Sequence, residues 1–123
     1  MNVLLLVAAA LAVVLAAAHS YLGERYILIR LFRRDDLPKL FGGDEFTKQT
    51  LRLAWHITTV LALGFAALLA VLASGGGSPH TVARIASAAC ALSGVVALIG
   101  SKGRHLSWIV FFAIAALAWA GSR

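Results

Sequence analysis

The charged residues of this chain are confined to a few places, and long apolar runs fill the sequence between them. Seven of the eleven Lys and Arg residues lie in Glu24–Arg52 and two more in Lys102–Arg104, while all five acidic residues lie in the first of these stretches. Only 13% of the 123 residues are charged, whereas a soluble domain usually has about 25%. This segregation predicts a single integral membrane domain over residues 1–123.

Four apolar runs have the length of membrane-spanning helices, alone or with their flanks. A helix needs roughly 20 apolar residues to cross a hydrocarbon core about 30 Å thick, and its backbone must be hydrogen-bonded internally. We therefore predict an all-α membrane protein, a four-transmembrane-helix antiparallel bundle. The Ser78-Pro79 pair is typical of a helix start. The predicted spans cover residues 2–23, 47–73, 79–100 and 104–121.

The first connection has an amphipathic segment over residues 25–34. Apolar residues share one face of a helix there, and Arg30, Arg33 and Arg34 share the other. This pattern is typical of a helix that lies on the membrane surface, so we predict an interfacial helix between spans one and two. Asp44 is in the position of an N-cap for the helix that enters the second span.

The charge distribution also predicts the orientation. Short loops rich in Lys and Arg stay in the cytoplasm, and the first and third connections hold most of the basic residues. Both termini are therefore predicted outside, which means the periplasm if the multi-pass chain lies in the inner membrane of a bacterium. A cleaved signal peptide ending at Ala18 is the alternative for the first run, but no Lys or Arg precedes that run, as a signal peptide would require.

Three histidines and one acid fall at the predicted cytoplasmic ends of the spans. His19 lies about 9 Å along a helix from Arg25, and His56 about 6 Å from Arg52, at 1.5 Å per residue. The orientation therefore places His19, His56, His105 and Glu24 in one layer, with Trp55 beside them. The competing interpretation is that each polar side chain simply reaches water at the interface.

This layer defines the candidate ligand-binding residues: His19, Glu24, Trp55, His56 and His105. Imidazole and carboxylate groups from different helices suit zinc or iron, with His19 and His56 as the metal ligands. Two histidines on facing helices also suit a haem iron, and imidazole can transfer protons near neutral pH. The cofactor class predicted is thus a divalent metal or haem, although no His-x-x-x-His pair specifies either.

Other polar and small residues indicate partners. Arg84, together with Arg30, Arg33 and Arg34, is a candidate for binding an anionic lipid or ligand. The lipid bilayer is the main predicted partner, and small-residue faces such as Ala86, Cys90, Gly94 and Ala97 would pack either inside the chain or in a homo-oligomer. Nucleic acid is not expected, because the basic residues flank apolar runs and have no nucleic-acid-binding pattern.

Two short blocks resemble a known group of proteins. His-Ser-x-Leu-Gly-Glu at His19–Glu24 and Ala-Trp-His at Ala54–His56 are similar to blocks in small, uncharacterised four-helix membrane proteins of bacteria. The resemblance covers the first half of the chain and implies a bacterial inner membrane. It implies no activity, but it directs attention to His19, Glu24, Trp55 and His56.

Four functions remain open on the sequence, and an enzyme is less expected than a binding protein. The glycine-rich Gly75–Gly77 lacks the lysine of a phosphate-binding motif, and the aspartates lie in a loop where no Ser/His/Asp set is indicated. The leading hypothesis is a protein that binds a metal or small ligand at a His/Glu site near the cytoplasmic face, in transport. The others are an accessory or scaffold subunit, an oligomeric channel or proton pathway, and a haem-binding protein.

Overall fold

The chain folds into helices joined by turns and loops. The structure, a computed structural model, describes all residues from Met1 to Arg123. No strand forms, apart from one isolated bridge between Leu40 and Gly43. The four helices, numbered here in chain order, are α1 (Val3–Leu31), α2 (Glu45–Ala73), α3 (Pro79–Gly100) and α4 (Ser107–Ala120).

Three of these helices, α1 to α3, are long and apolar enough to cross a membrane, judged by length and composition. The all-α prediction is confirmed, and the helices are those of a multi-pass membrane protein. The fourth predicted span, residues 104–121, contains a helix of only 14 residues. At 1.5 Å per residue it is about 21 Å long, which is shorter than the hydrocarbon core.

Residues 25–34 differ from the prediction in one respect, because they do not form a helix separate from the first span; their location on the membrane surface stays a prediction. The helix continues from the first span through Leu31, and Gly23–Leu28 within it are π-helical, with the Ile29 N–H donating to the Glu24 carbonyl. A π-turn holds one more residue than an α-turn and is frequent at functional sites. No proline interrupts this stretch, so its amphipathic residues continue α1 and do not begin a second helix.

Two side chains cap helix starts, and one predicted cap does not form. The Ser78 hydroxyl accepts from the Thr81 N–H at 3.1 Å, which confirms the predicted start of α3. Asn2 caps α1 in the same way, through Leu4 and Leu5 N–H groups. Asp44 caps nothing, since its carboxylate binds the Lys48 ammonium at 2.8 Å. This cation competes with the backbone for the carboxylate oxygens.

The helices contact one another in chain order. The amino end of α1 lies beside the carboxyl end of α2, where the Asn2 N–H donates to the Ala73 carbonyl at 2.7 Å. Contacts then link α2 to α3 and α3 to α4, but no α carbon of α1 lies within 8 Å of α3 or α4. The side of the assembly between α1 and α4 is therefore not closed by helix packing.

Small residues mediate much of this packing within the chain. A Cβ added at Gly94 would lie 2.9 Å from the Phe112 ring of α4, and one added at Gly64 would lie 3.0 Å from the Ala89 Cβ. Only 15 of 123 residues are buried, so most large apolar side chains face outward. Such an apolar surface indicates association with a lipid bilayer.

Candidate functional site

Polar side chains gather where the second half of α1 faces the first half of α2. Ser20 and Glu24 are four residues apart and share a face of α1, while Arg52 and His56 have the same spacing on α2. The α1–α2 contact brings these faces together. We call the group the α1–α2 polar cluster: His19, Ser20, Glu24, Arg52, Trp55, His56 and Thr58.

His56 occupies the middle of a hydrogen-bonded line. Its Nδ1 lies 2.6 Å from the Ser20 Oγ, and its Nε2 lies 3.1 Å from the Glu24 Oε2. An ionised carboxylate only accepts, so Nε2 carries a proton and donates to Glu24. The Ser20 hydroxyl then donates to Nδ1 of the neutral ring, or accepts from it when the ring is protonated. Both protonation states of His56 therefore fit the same geometry.

Glu24 is bound more tightly by arginine than by histidine. The Arg52 Nε donates to Oε2 at 3.1 Å and its Nη2 donates to Oε1 at 2.8 Å, which is the bidentate geometry that favours strong charge-assisted bonds. The guanidinium carbon also lies 4.9 Å from the centre of the Phe32 ring. Any cation that coordinated Glu24 would have to compete with this arginine for the carboxylate oxygens.

His19 packs on the other side of the cluster and has a different set of partners. Its ring stacks on Trp55, with centroids 4.5 Å apart and planes 4° from parallel. The Thr58 hydroxyl donates to the Trp55 carbonyl, so its lone pair accepts from the His19 Nε2–H at 2.9 Å. The His19 Nδ1 makes no hydrogen bond, and it is therefore an unpaired acceptor in this tautomer.

Trp55 is held between the helices rather than at a free interface. Its indole N–H donates to the His19 carbonyl at 3.0 Å. A Cβ added at Gly23 would lie within 2.5 Å of three indole atoms. The absence of a side chain at Gly23 is what allows the ring to lie against α1.

The structure brings together four of the five predicted ligand-binding residues, but not His105. His105 lies in the turn before α4, where its Nδ1 is 2.8 Å from the Ser107 Oγ and its ring stacks on Phe46 at 5.9 Å. His105 was predicted at the same membrane depth as His19, Glu24 and His56, but it does not reach them because α4 does not contact α1.

The predicted metal site at His19 and His56 has no supporting ligand group. No set of three or more His, Cys, Asp or Glu side chains is placed to hold a metal ion. The His56 ring is occupied by Ser20 and Glu24, whereas the His19 ring lies on Trp55. The metal and haem assignments therefore stay predictions from the sequence.

The arginines predicted to bind anions are separated in space and partly occupied. Arg84 lies 5.7 Å from the centre of the Trp119 ring, and Arg30 lies at the same distance from Tyr26, while Arg33 is exposed. Arg34 donates from Nε to Asp36 at 2.8 Å. Hydrogen bonding to this guanidinium lowers the pKa of Asp36, and the carboxylate in turn raises the pKa of Arg34.

A groove opens beside the cluster, between α1 and α2. It has a volume of about 240 Å³. We call it the His19 groove; its lining residues are Leu15, Ala16, His19, Thr58, Thr59 and Ala62. The Thr59 Oγ1 is buried without a hydrogen-bond partner. A helical threonine usually bonds the carbonyl three or four residues earlier, but the carbonyl of Trp55 is already bound by Thr58 and His19.

The sequence interpretation missed Ser20, Arg52, Thr58 and Thr59. The first two had a usable signal, because each lies four residues from a residue that was singled out: Ser20 from Glu24, and Arg52 from His56. The two threonines had none, since their roles depend on how the helices are rotated against each other.

Comparison with protein-family models, curated proteins and solved structures finds no match to this chain.

Proposed function

We propose that this chain is a multi-pass protein of a bacterial inner membrane that binds a small, lipid-soluble ligand in the His19 groove. The proposal assumes four antiparallel spans with both termini in the periplasm, as the distribution of Lys and Arg predicts. The groove then lies near the cytoplasmic face. The observation that carries the proposal is the unpaired hydroxyl of Thr59, which is buried just under the wall of an apolar groove that Thr59 lines and which a change of side-chain rotamer would turn into the groove.

The hydrogen-bonding groups of the groove define the class of ligand. Thr59 offers a hydroxyl donor, and His19 has an unpaired Nδ1 acceptor. A buried polar group without a partner costs about 1–3 kcal/mol, which a ligand carbonyl or hydroxyl would offset. The volume of about 240 Å³ is below the range of roughly 300–1,000 Å³ usual for drug-sized ligands. A single substituted ring, such as a quinone head group, is a suitable size.

The rest of the α1–α2 polar cluster supports the groove. Arg52 and His56 bind Glu24 across the helix contact, and the His19 ring is stacked on Trp55. These contacts hold both walls of the groove in place. They also explain why a metal is less suitable here than an uncharged ligand, since Glu24 is already paired with a cation.

The test follows the three indole N–H groups by NMR in detergent micelles. Duroquinone is titrated into the protein, with durene as the control, because durene has the same methylated ring without the carbonyl oxygens. We expect duroquinone to shift the Trp55 cross-peak, since this N–H donates to His19 in the groove wall. The cross-peaks of Trp108 and Trp119, on α4, serve as internal references and should not move.

Matched variants identify the hydroxyl. Thr59→Val should abolish the Trp55 shift, whereas Thr50→Val should retain it, because Thr50 is a second buried, unpaired hydroxyl that lines a different cavity. Equal shifts with durene, or equal shifts of all three indoles, would show partitioning into the micelle and would reject the proposal.

The geometry of His56 favours a second candidate function, acyl transfer from an ester. Ser20, His56 and Glu24 form the nucleophile, base and orienting acid of an activated serine. Ser20 Oγ would attack the carbonyl carbon while His56 took its proton and returned it to the leaving alcohol; water would then release the acyl group. This function ranks second because Ser20 lies inside a helix, whose backbone N–H groups are committed and form no oxyanion hole.

A fluorophosphonate probe distinguishes this second function. An activated Ser20 would be labelled in native membranes, and Ser20→Ala or His56→Ala would abolish the label. Ser93→Ala is the matched control, because the Ser93 hydroxyl bonds only the carbonyl of Ala89 in its own helix. A wild-type protein that does not react removes the acyl-transfer function and leaves ligand binding in the His19 groove unaffected.

A further inference from the structure

A larger cavity lies away from the α1–α2 polar cluster, between the first connection and the turn that precedes α4. Its volume is about 550 Å³. We call it the Arg104 cavity; its lining residues are Leu40, Phe41, Gly42, Gly43, Glu45, Phe46 and Arg104. None of the anion-binding arginines predicted from the sequence is part of it.

The depth of this cavity follows from the helix contacts. The end of α3 lies beside Leu53, since a Cβ added at Gly100 would be 3.6 Å from the Leu53 Cβ. Leu53 begins the uncharged part of α2, and Phe46 is seven residues earlier, about 10 Å along the axis. The head-group layer on each side of a bilayer is roughly 5–8 Å thick. At about 10 Å, Phe46 lies at the outer edge of this layer, so the cavity meets the lipid head groups from the water side, where His105 packs on Phe46.

The charges around the cavity favour an anion. The Arg104 guanidinium forms no salt bridge, whereas the nearby Asp44 is paired with Lys48. Glu45 is the one acid in the lining, and its carboxylate accepts from the Gln49 side chain at 3.0 Å. Arg104 and Glu45 balance each other within the lining, and the positive excess comes from Lys39 and Lys102, which are close in sequence to the two sides of the cavity.

The apolar part of the lining favours a lipid over a free anion. Phe41 is 90% exposed and makes an edge contact with Phe46 at 5.2 Å. Its φ of 56° lies in the left-handed region, which is unfavourable for a bulky residue. Apart from this edge contact, nothing evident stabilises a ring that is exposed to water and attached to a strained backbone. The same ring beside a lipid would be in its preferred environment.

We propose that the Arg104 cavity binds the head group of an anionic phospholipid, with the phosphate on Arg104 and the glycerol backbone against Phe41. Planar guanidinium is suited to phosphate oxygens. The proposal does not depend on the His19 groove or its ligand. It adds a lipid site to the protein on the side predicted to be cytoplasmic.

The test measures the thermal unfolding midpoint, Tm, of the detergent-purified protein with three probes. These are dioctanoyl phosphatidylglycerol, dioctanoyl phosphatidylcholine and glycerol phosphate. At a hundredfold excess over its Kd, phosphatidylglycerol should raise Tm by about 5 °C or more, whereas the other two should not. An equal effect of phosphatidylcholine would overturn the charge argument, and an equal effect of glycerol phosphate would overturn the choice of a lipid.

Variants locate the site. Arg104→Gln should abolish the stabilisation, Arg104→Lys should retain part of it, and Phe41→Ser should weaken it. Arg123→Gln is the matched control, because it removes one positive charge at the carboxyl terminus, outside the cavity. Full stabilisation of Arg104→Gln by phosphatidylglycerol would refute the proposal. The Tm without lipid shows whether each variant is folded, and the lysine variant preserves the charge if the glutamine variant is not.

Discussion

Gly23→Ala is the sharpest test of how α1 and α2 fit together. An alanine in a helix is normally about 1 kcal/mol more favourable than glycine, and Gly23 has ordinary helical dihedral angles. Here, however, the new Cβ would lie within 2.5 Å of three atoms of the Trp55 indole. The ring cannot turn away freely, because it is stacked on His19 and its N–H donates to the His19 carbonyl.

The expected cost is the sum of the contacts that the displaced ring would lose. Overpacking costs about 1–3 kcal/mol, the hydrogen bond contributes about 0.5–1.5 kcal/mol, and the aromatic stack contributes about 0.5–1.5 kcal/mol. Subtracting the helix preference of alanine leaves a net destabilisation of about 1–5 kcal/mol. The sign is therefore opposite to that expected from helix propensity alone.

The assay is reversible unfolding in mixed micelles followed by tryptophan fluorescence, together with the position of the Trp55 indole cross-peak. Gly100→Ala is the matched control, because the Cβ added there would meet Leu53 only at 3.6 Å, an ordinary contact. It should be neutral or stabilising. A Gly23→Ala protein as stable as wild type, with the Trp55 cross-peak in place, would refute the packing of the two helices described above.

Three further substitutions test other parts of the fold. Glu24→Gln should destabilise the protein by about 1 kcal/mol, because the lost ion pair is partly exposed, and the effect should shrink in unfolding measured at 1 M salt. Lys48 lowers the pKa of Asp44, so this pair stabilises the start of α2 above the usual aspartate range. That stability is lost as the pH falls through the lowered pKa; hydrogen exchange of the Lys48 amide should show the loss in wild type and not in Asp44→Asn. Gly94→Ala should cost about 1–3 kcal/mol by overpacking against Phe112, and Tm in micelles should fall even in a monomer.

Helix boundaries were predictable wherever the chain contains a local stop or start. The Ser78-Pro79 pair marks the start of α3, which has the predicted bounds Pro79–Gly100. Residues 25–34 were misassigned because an amphipathic pattern reports which face is polar but not whether the helix axis bends. Asp44 was misassigned because capping competes with a cation whose position is known only in the folded helix.

The position of each candidate residue along its helix was predictable, but the rotation of each helix about its axis was not. Charge flanking the apolar runs gave the level of His19, His56 and Glu24 along their helices, and the structure places all three in one cluster. Whether two rings at one level point at each other depends on the rotation of each helix about its axis. That rotation is set by pairs such as Gly23 and Trp55, which become evident only when both helices are in place.

The polar cluster supplies the side-chain hydrogen bonds that tie α1 to the rest of the chain, in addition to the backbone bond from the Asn2 N–H to the Ala73 carbonyl. Helix α1 contacts α2 but not α3 or α4, and the buried apolar side chains it contributes before the π-turn are alanines, Ala9 and Ala16. Lipid tails solvate apolar side chains as well as another helix does, so alanine packing alone specifies little, whereas each hydrogen bond between helices adds a directional contact of about 0.6–2 kcal/mol. The register of α1 against α2 therefore depends on the bonds of Glu24 and Trp55. Because the His19 groove is the space between these two helices, its shape depends on the same bonds.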